Sequence, residues 1–424
     1  MSIPLWSVVL ASITIVLIFG LAVIFGRSEK ETMQRVGHFY SVADAQFLRS
    51  INGLLGPTLV AGNRVETLLN GDEIFPAMLK AIRAAEKTVT FQTYIYWSGS
   101  IGHEFVDTLS GKAREGVRIH VLLDWLGSRK MEDSWIQKMR DAGVEVEKYH
   151  PLKWHTWRRL NNRTHRRILI VDGKTGFTGG VGIADEWNGH AQGPDHWRDT
   201  HYRIEGPVVA QLQGAFIDSW IEVKGDVLDS GEYFPELKEV GPHLAQVFKS
   251  SREGGANSMH LMYLLAITAA KKSIHLSMAY FVPDRLARDA MVNALKRGVT
   301  IQIILPSGHI DTTYVRKASR GTWGPLLEAG AEIFEFQPTM FHCKILIVDE
   351  IYVCVGSTNF DNRSFRLNDE ANLNVYNRQF AERQLADFKA DLARSKRITL
   401  QDWKKRPWTE KALEYGLKII RPQL

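Results

Sequence analysis

Between Met1 and Gly26 the sequence has no charged side chain, although the 424-residue chain carries 53 Lys plus Arg and 47 Asp plus Glu. A single soluble domain with charge spread over its whole length is excluded. Cysteine is nearly absent, with Cys343 and Cys354 alone, which excludes a secreted disulfide framework. Nowhere do Asp, Glu and His cluster with metal-ligand spacing, so no metal and no cofactor is expected. What is present is 45% hydrophobic residues and a mild net charge of +6. Such a chain is too long and too apolar to be disordered, and by length it makes about two or three domains.

The uncharged start, Pro4 to Gly26, is built mostly of Val, Ile, Leu, Phe and Ala. A bilayer core needs about 20 apolar helical residues, so this segment is expected to be a transmembrane anchor. A cleaved signal peptide would show a basic start, a shorter apolar core and a small-residue cleavage site, none of which is present. Flanking basic residues occur only afterwards, at Arg27, Lys30 and Arg35. The positive-inside tendency therefore puts the bulk of the chain in the cytoplasm, on a single-pass inner-membrane anchor.

From about Gly62 the chain repeats itself in four places. KTVTFQTYIYW from Lys87 parallels KSIHLSMAYFV from Lys272, and AREGVRIHVLLD from Ala113 parallels LKRGVTIQIILP from Leu295. DAGVEVEKY from Asp141 parallels EAGAEIFEF from Glu328, and HRRILIVDGKTGFTGG from His165 parallels HCKILIVDEIYVCVGS from His342. Short β-branched runs alternate with helical spacing, as at Phe105, Leu109 and Ala113, which predicts an α/β fold in two related halves. Sites commonly form where such halves meet.

The fourth repeat carries chemistry. His342, Lys344 and Asp349 form H-x-K-x4-D, followed by Gly356, Ser357 and Asn359; His165, Arg167 and Asp172 match them, with Gly179 and Gly180 following. ILIV after each basic residue reads as a strand buried on both faces. Residues two apart on a strand share a face, so each histidine projects with its cation. The aspartates have the opposite parity and begin a turn, which assigns them to the strand end more than to substrate. Two imidazoles and two cations around one cavity suit phosphoryl transfer, with one histidine attacking phosphorus and the other protonating the leaving oxygen. Asp199 and Glu370 are candidates to orient the imidazoles; solvated or salt-bridged acids at strand ends are an equal reading. Cys343 alternates with the motif residues and reads as a small buried apolar side chain.

These motifs resemble the phospholipase D superfamily over roughly residues 62 to 395. FTGGVGIADEW, DHWRDTHYRIEGP, QPTMFHCKILIVD and VGSTNFDNRSFRLNDEANL are similar to bacterial cardiolipin synthases of the single-anchor type. The resemblance implies two pseudo-twofold-related phospholipase D-like α/β/α domains sharing one active site behind the transmembrane helix. It implies a catalytic set of His165, Arg167, Asp172, His342, Lys344 and Asp349, with substrate contacts from Gly180, Ser357 and Asn359. It implies a phosphatidyltransferase joining two phosphatidylglycerols into cardiolipin through a phosphohistidine, with His165 as nucleophile and glycerol released. Two departures stand out: Arg167 replaces the usual lysine, and Gly182 stands where the second half has Asn359, which leaves Asn359 the more dependable phosphate ligand.

The expected division is an anchor over 1–26, a juxtamembrane linker over 27–61, halves over 62–235 and 236–395, and a basic tail over 396–424. Six basic residues lie between Lys153 and Arg167 with Trp154 and Trp157 among them, and the tail has eight basic residues against three acids. Each reads either as a contact with anionic lipid or as an ordinary loop or packed helix. The partners expected are membrane phospholipids and no nucleic acid, with homo-oligomerisation left open. A hydrolytic phospholipase, an anchored nuclease and a non-enzymatic scaffold are the competing classes.

Overall fold

The run Ile168–Val171 alternates its burial: Leu169 and Val171 pack into one hydrophobic core and Ile168 and Ile170 into another. Leu346 and Val348 likewise separate from Ile345 and Ile347. A four-residue apolar run with both faces buried needs layers on both sides, and these layers set the architecture. The computed structural model describes residues 36–151, 161–250 and 258–417, together with Trp6 and Thr14.

The first half contributes β1 (Val60–Leu69), β2 (Thr88–Thr93), β3 (Arg118–Asp124), β4 (Glu145–Tyr149), β5 (Ile168–Val171), β6 (Thr175–Gly179) and β7 (Thr200–Glu205). The second contributes β8 (His243–Ser250), β9 (Ser273–Met278), β10 (Thr300–Pro306), β11 (Glu332–Phe336), β12 (Lys344–Val348), β13 (Tyr352–Gly356), β14 (Glu370–Tyr376) and β15 (Ser395–Ile398). Their spatial order is β1-β7-β6-β5-β2-β3-β4 in one and β8-β14-β13-β12-β9-β10-β11 in the other, with β15 beyond β11. The two orders are the same, as the sequence repeat requires. In each half three parallel strands carry the crossover helices and the rest run antiparallel. β1 pairs with both β7 and β8, which makes one continuous 15-stranded sheet. Between the halves lies a shared core containing the helices Val209–Lys224 and Arg378–Ala393.

The linker and the start of the first half need correction, while the tail follows its packed-helix reading. The described part of the 27–61 stretch is no free linker. The helix Ala45–Leu54 docks on the second half, burying Val42, Phe47, Ile51 and Leu55 in its core. The first half begins at Val60, with β1. The tail adds β15 to the sheet edge, antiparallel to β11. Its helix Trp408–Leu417 then packs back on the second half, with Arg320 and Glu410 paired at 2.9 Å. The expected anchor, Pro4–Gly26, lies outside the described residues apart from Trp6 and Thr14. Among the described residues no helix is long and apolar enough to cross a membrane.

Candidate active site

Each histidine stands just ahead of, or one turn of the pleat before, a central strand, and each is tied to the opposite half by backbone. His165 N–H donates to Asp369 O at 2.8 Å, and His342 N–H donates to Arg198 O at 2.8 Å. Asp369 and Arg198 immediately precede the two candidate orienting acids. The carboxylates are thereby exchanged: His165 Nδ1 meets Glu370 Oε1 at 3.0 Å, and His342 Nδ1 meets Asp199 Oδ2 at 2.7 Å. Sequence reading nominated both acids and missed the exchange. The salt-bridged reading of these acids applies too, but the partner of each is the opposite half's imidazole.

The cations follow the strand parity. Arg167 Nη2 lies 3.0 Å from His165 Nε2, and Lys344 Nζ lies 3.2 Å from His342 Nε2. All four side chains are buried. Burial, reinforced by Arg167 and Lys344, holds the His165 imidazole well below its usual range, so it is neutral. Burial and Lys344 bring His342 down to about 4. Burial brings the Lys344 ammonium down to about 8, and burial pushes the Glu370 carboxyl up to about 7. Burial also acts on Asp199, but His342, Lys344 and Trp187 outweigh it and keep its carboxyl below the usual range.

The histidines line a cavity of about 410 Å³. Tyr94 stands edge-on to His165 at 5.1 Å and Trp187 edge-on to His342 at 5.3 Å. Trp187 also donates its indole N–H to Asp199 at 2.9 Å. Sequence reading gave these aromatics no role; Trp187 lies twelve residues before the acid it holds, a spacing with no local periodicity. Arg167 Nε and Asn359 Oδ1 are buried without a hydrogen bond among the described residues. A buried guanidinium N–H left without an acceptor is costly, and an anion's oxygen is the acceptor that suits it.

Other predicted residues sit elsewhere. Asp172 accepts from the backbone N–H of Lys87 and Thr88 at 2.7 and 2.9 Å, and Asp349 accepts from Lys272 and Ser273 at 2.7 and 2.9 Å. Both have left-handed φ, +52 and +51°, at the far end of their strands. Expected in the catalytic set, they instead pin the motif strand to its neighbour and are not among the residues that line the cavity. Gly180 and Ser357 are likewise corrected from substrate contacts to carboxylate positions. A Cβ at Gly180 would collide with Asp199 Oδ1, and Ser357 Oγ donates to Glu370 Oε2. Asn359 does line the cavity, and a Cβ at Gly182 would press on Ile95, which accounts for the missing asparagine of the first half. Of the basic stretch before the motif, Arg163 and Arg166 are buried, beside Asp124 at 3.6 Å and Asp218 at 3.1 Å, and Arg163 lines the cavity, so neither is part of a solvated basic loop. Lys153, Arg158 and Arg159 lie outside the described residues. Cys343 and Cys354 are buried free thiols.

A family model described as "Cardiolipin synthase, PLD-like domain" matches residues 78–193 and 263–392. The chain is 33% identical over 361 residues to cardiolipin synthase 2 of Bacillus anthracis, covering 84% of this chain and 70% of that protein. It is 33% identical over 377 residues to cardiolipin synthase A of Pseudomonas syringae pv. syringae, covering 88% and 77%. Among solved structures, phosphatidylserine synthase of Haemophilus influenzae superposes with a TM-score of 0.69 at 14% identity, over 89% of this chain and all (100%) of that one. At that identity the likeness is one of fold.

Proposed function

The chain belongs to the phospholipase D-like cardiolipin synthase family, and on that premise we propose that it transfers a phosphatidyl group from one phosphatidylglycerol to a second, forming cardiolipin and releasing glycerol. The observation that carries the reading is the crossed pairing, in which each imidazole has its Nδ1 on the other half's carboxylate and its Nε2 beside a cation. In this reading the donor phosphodiester lies between the two Nε2 atoms. Arg167, Lys344 and Asn359 bind its non-bridging oxygens. A phosphoryl oxygen takes up the Arg167 hydrogen bond and frees the Nε2 lone pair of His165.

His165 Nε2 then attacks phosphorus. A P–N bond forms, the P–O bond to glycerol breaks, and His342 supplies the proton to the leaving oxygen. The phosphate's negative charge favours the protonated His342 that this step needs. Asp199, held ionised, stabilises that imidazolium. In the second step His342 takes the proton from the hydroxyl of the second lipid, whose oxygen attacks phosphorus and displaces His165. His165 is assigned the attack because its imidazole is neutral, which leaves the Nε2 lone pair available. We also propose that residues 4–26 anchor the chain in the inner membrane with the enzyme on the cytoplasmic side, and that the halves divide near residue 235.

The test is incubation of the purified full chain with phosphatidylglycerol, without added metal, and identification of the lipid products. Cardiolipin with glycerol is expected; phosphatidic acid alone sinks transfer in favour of hydrolysis. His165→Ala should abolish turnover. His342→Ala should cost about 10²–10⁴-fold and leave a phosphoramidate trapped on His165. A trapped adduct on residue 342 in the converse variant would reverse the roles.

A further inference from the structure

The floor of the cavity obeys the internal twofold, but its walls do not. Lys344 faces Met278 in the β9–β12 register, and Ala279 N–H continues the ladder to Cys343 O at 2.9 Å. The next step brings Tyr280 opposite His342. In the first half Gln92 faces Ile168, and the same count brings Ile95 opposite His165. Cross-strand partners project on one face within reach of each other, and both Ile95 and Tyr280 line the cavity. A tyrosine thus stands on each side of the cavity, Tyr94 edge-on to His165 at 5.1 Å and Tyr280 at the position where the first half has Ile95.

The asymmetry extends outward. Tyr280 Oη donates to Asp311 Oδ2 at 2.5 Å and lies 3.4 Å from Thr312 Oγ1. Asp311 and Thr312 line the cavity in the loop after β10, whereas the loop after β3 presents Leu126. Burial keeps the Tyr280 hydroxyl protonated, with Asp311 adding to the effect. An exposed carboxylate at the rim of an anion cavity repels phosphate, so phosphate is not what it serves. Carboxylate oxygens accept several hydrogen bonds, and Asp311 spends one on Tyr280, whose own oxygen can accept another. Two adjacent acceptors match a ligand with neighbouring hydroxyls.

We propose that Tyr280 and Asp311 form a polyol subsite that seats the glycerol headgroup beside His342, first as leaving group and then as attacking acceptor. The inference rests on the transfer reading above. By microscopic reversibility one subsite serves both alcohols, because each forms or breaks its bond to phosphorus at the same place. A polyol held by two contacts outcompetes water, so the pair sets the balance between transfer and hydrolysis. Tyr94, Ile95 and Leu126 line the cavity on the first half's side.

The experiment supplies the full-length protein with phosphatidylglycerol in detergent, plus isotopically labelled glycerol and 1-propanol at equal concentration. The readouts are labelled phosphatidylglycerol, phosphatidylpropanol and phosphatidic acid. The native chain should favour glycerol. Asp311→Asn and Tyr280→Phe should each cut the glycerol-to-propanol ratio by about tenfold and raise the phosphatidic acid share. The ratio is read at whatever total rate the variant retains, so general damage does not move it. Should Asp311→Asn fail to fold, Tyr280→Phe removes a single oxygen and gives the same readout. An unchanged ratio in the variants overturns the polyol subsite while leaving transfer intact. Phosphatidic acid as the sole product of the native chain overturns the transfer reading itself, and the subsite with it.

Discussion

Lys344 and Arg167 hold equivalent places and respond differently to pH. The Lys344 ammonium, brought down to about 8 by burial, is charged below that pH and neutral above it. As pH rises through about 8 the site loses the cation beside His342, and turnover should fall. Lys344→Arg keeps the charge, so its pH–rate profile should lose the alkaline limb, at a lower plateau because the planar fork replaces a point charge. The small residues ahead of each acid give a second prediction. Gly180→Ala drives a Cβ into Asp199 and so displaces the acid that holds His342. Its kcat should fall about 10²-fold, the scale of a misplaced catalytic group. Ser357→Ala removes hydrogen bonds to Glu370 and to the Ala371 backbone without a steric clash and should cost less. The doubled H-x-K/R motif was legible because strand parity is local. The partners of its histidines were not, since Glu370 lies 205 residues from His165 and Asp199 143 residues from His342, and no spacing reports which acid meets which ring.

The elements that cross between halves do the positioning. Thr164 bridges to Asp369 and Arg198 to Phe341, so each half lends a short strand end to the other. Arg198, whose carbonyl holds His342, is itself clamped by Asp391 on the helix Arg378–Ala393, with both bonds at 2.9 Å. That pair is buried. Asp391→Ala leaves a buried guanidinium uncompensated and should cost about 3–5 kcal/mol of stability. Urea unfolding measures it, and a paired drop in kcat tests the link to His342. Charge counting could not reveal this element. Arg163 and Arg166 sit in a basic stretch that reads as a lipid contact or a loop, yet each, like Arg198, is buried against an acid brought from elsewhere in the chain. The alternation of strands and helices from β2 to β6 and from β9 to β13, by contrast, was legible, because hydrophobic period is written within each element, whereas β1, β8 and β15 were not read.

At the scale of the molecule, the repeat foretold two halves but not what lies at their edges. Residues 38–55 carry little that distinguishes a connecting stretch from a docked one. Their apolar side chains acquire meaning only against the second half, where Val42, Phe47, Ile51 and Leu55 are 0–1% exposed. His38 adds a bond to Thr268 O at 2.6 Å, and Tyr376 Oη donates to Val42 O at 3.0 Å. Full burial of such side chains contributes about 1.5–3 kcal/mol each. Four of them come to about 6–12 kcal/mol, as much as the whole stability of an ordinary domain. A chain cut before Val36 should therefore fold, while one cut before Gly62 should be insoluble or unfolded by circular dichroism. The longer truncate also separates the enzyme from its proposed anchor. It should turn over phosphatidylglycerol in detergent micelles at close to the full-length rate, and in vesicles it should fall well behind. Equal vesicle activity in the two chains would mean that residues 1–35 do not bring the cavity to the bilayer, and the surface of the folded halves would have to do so.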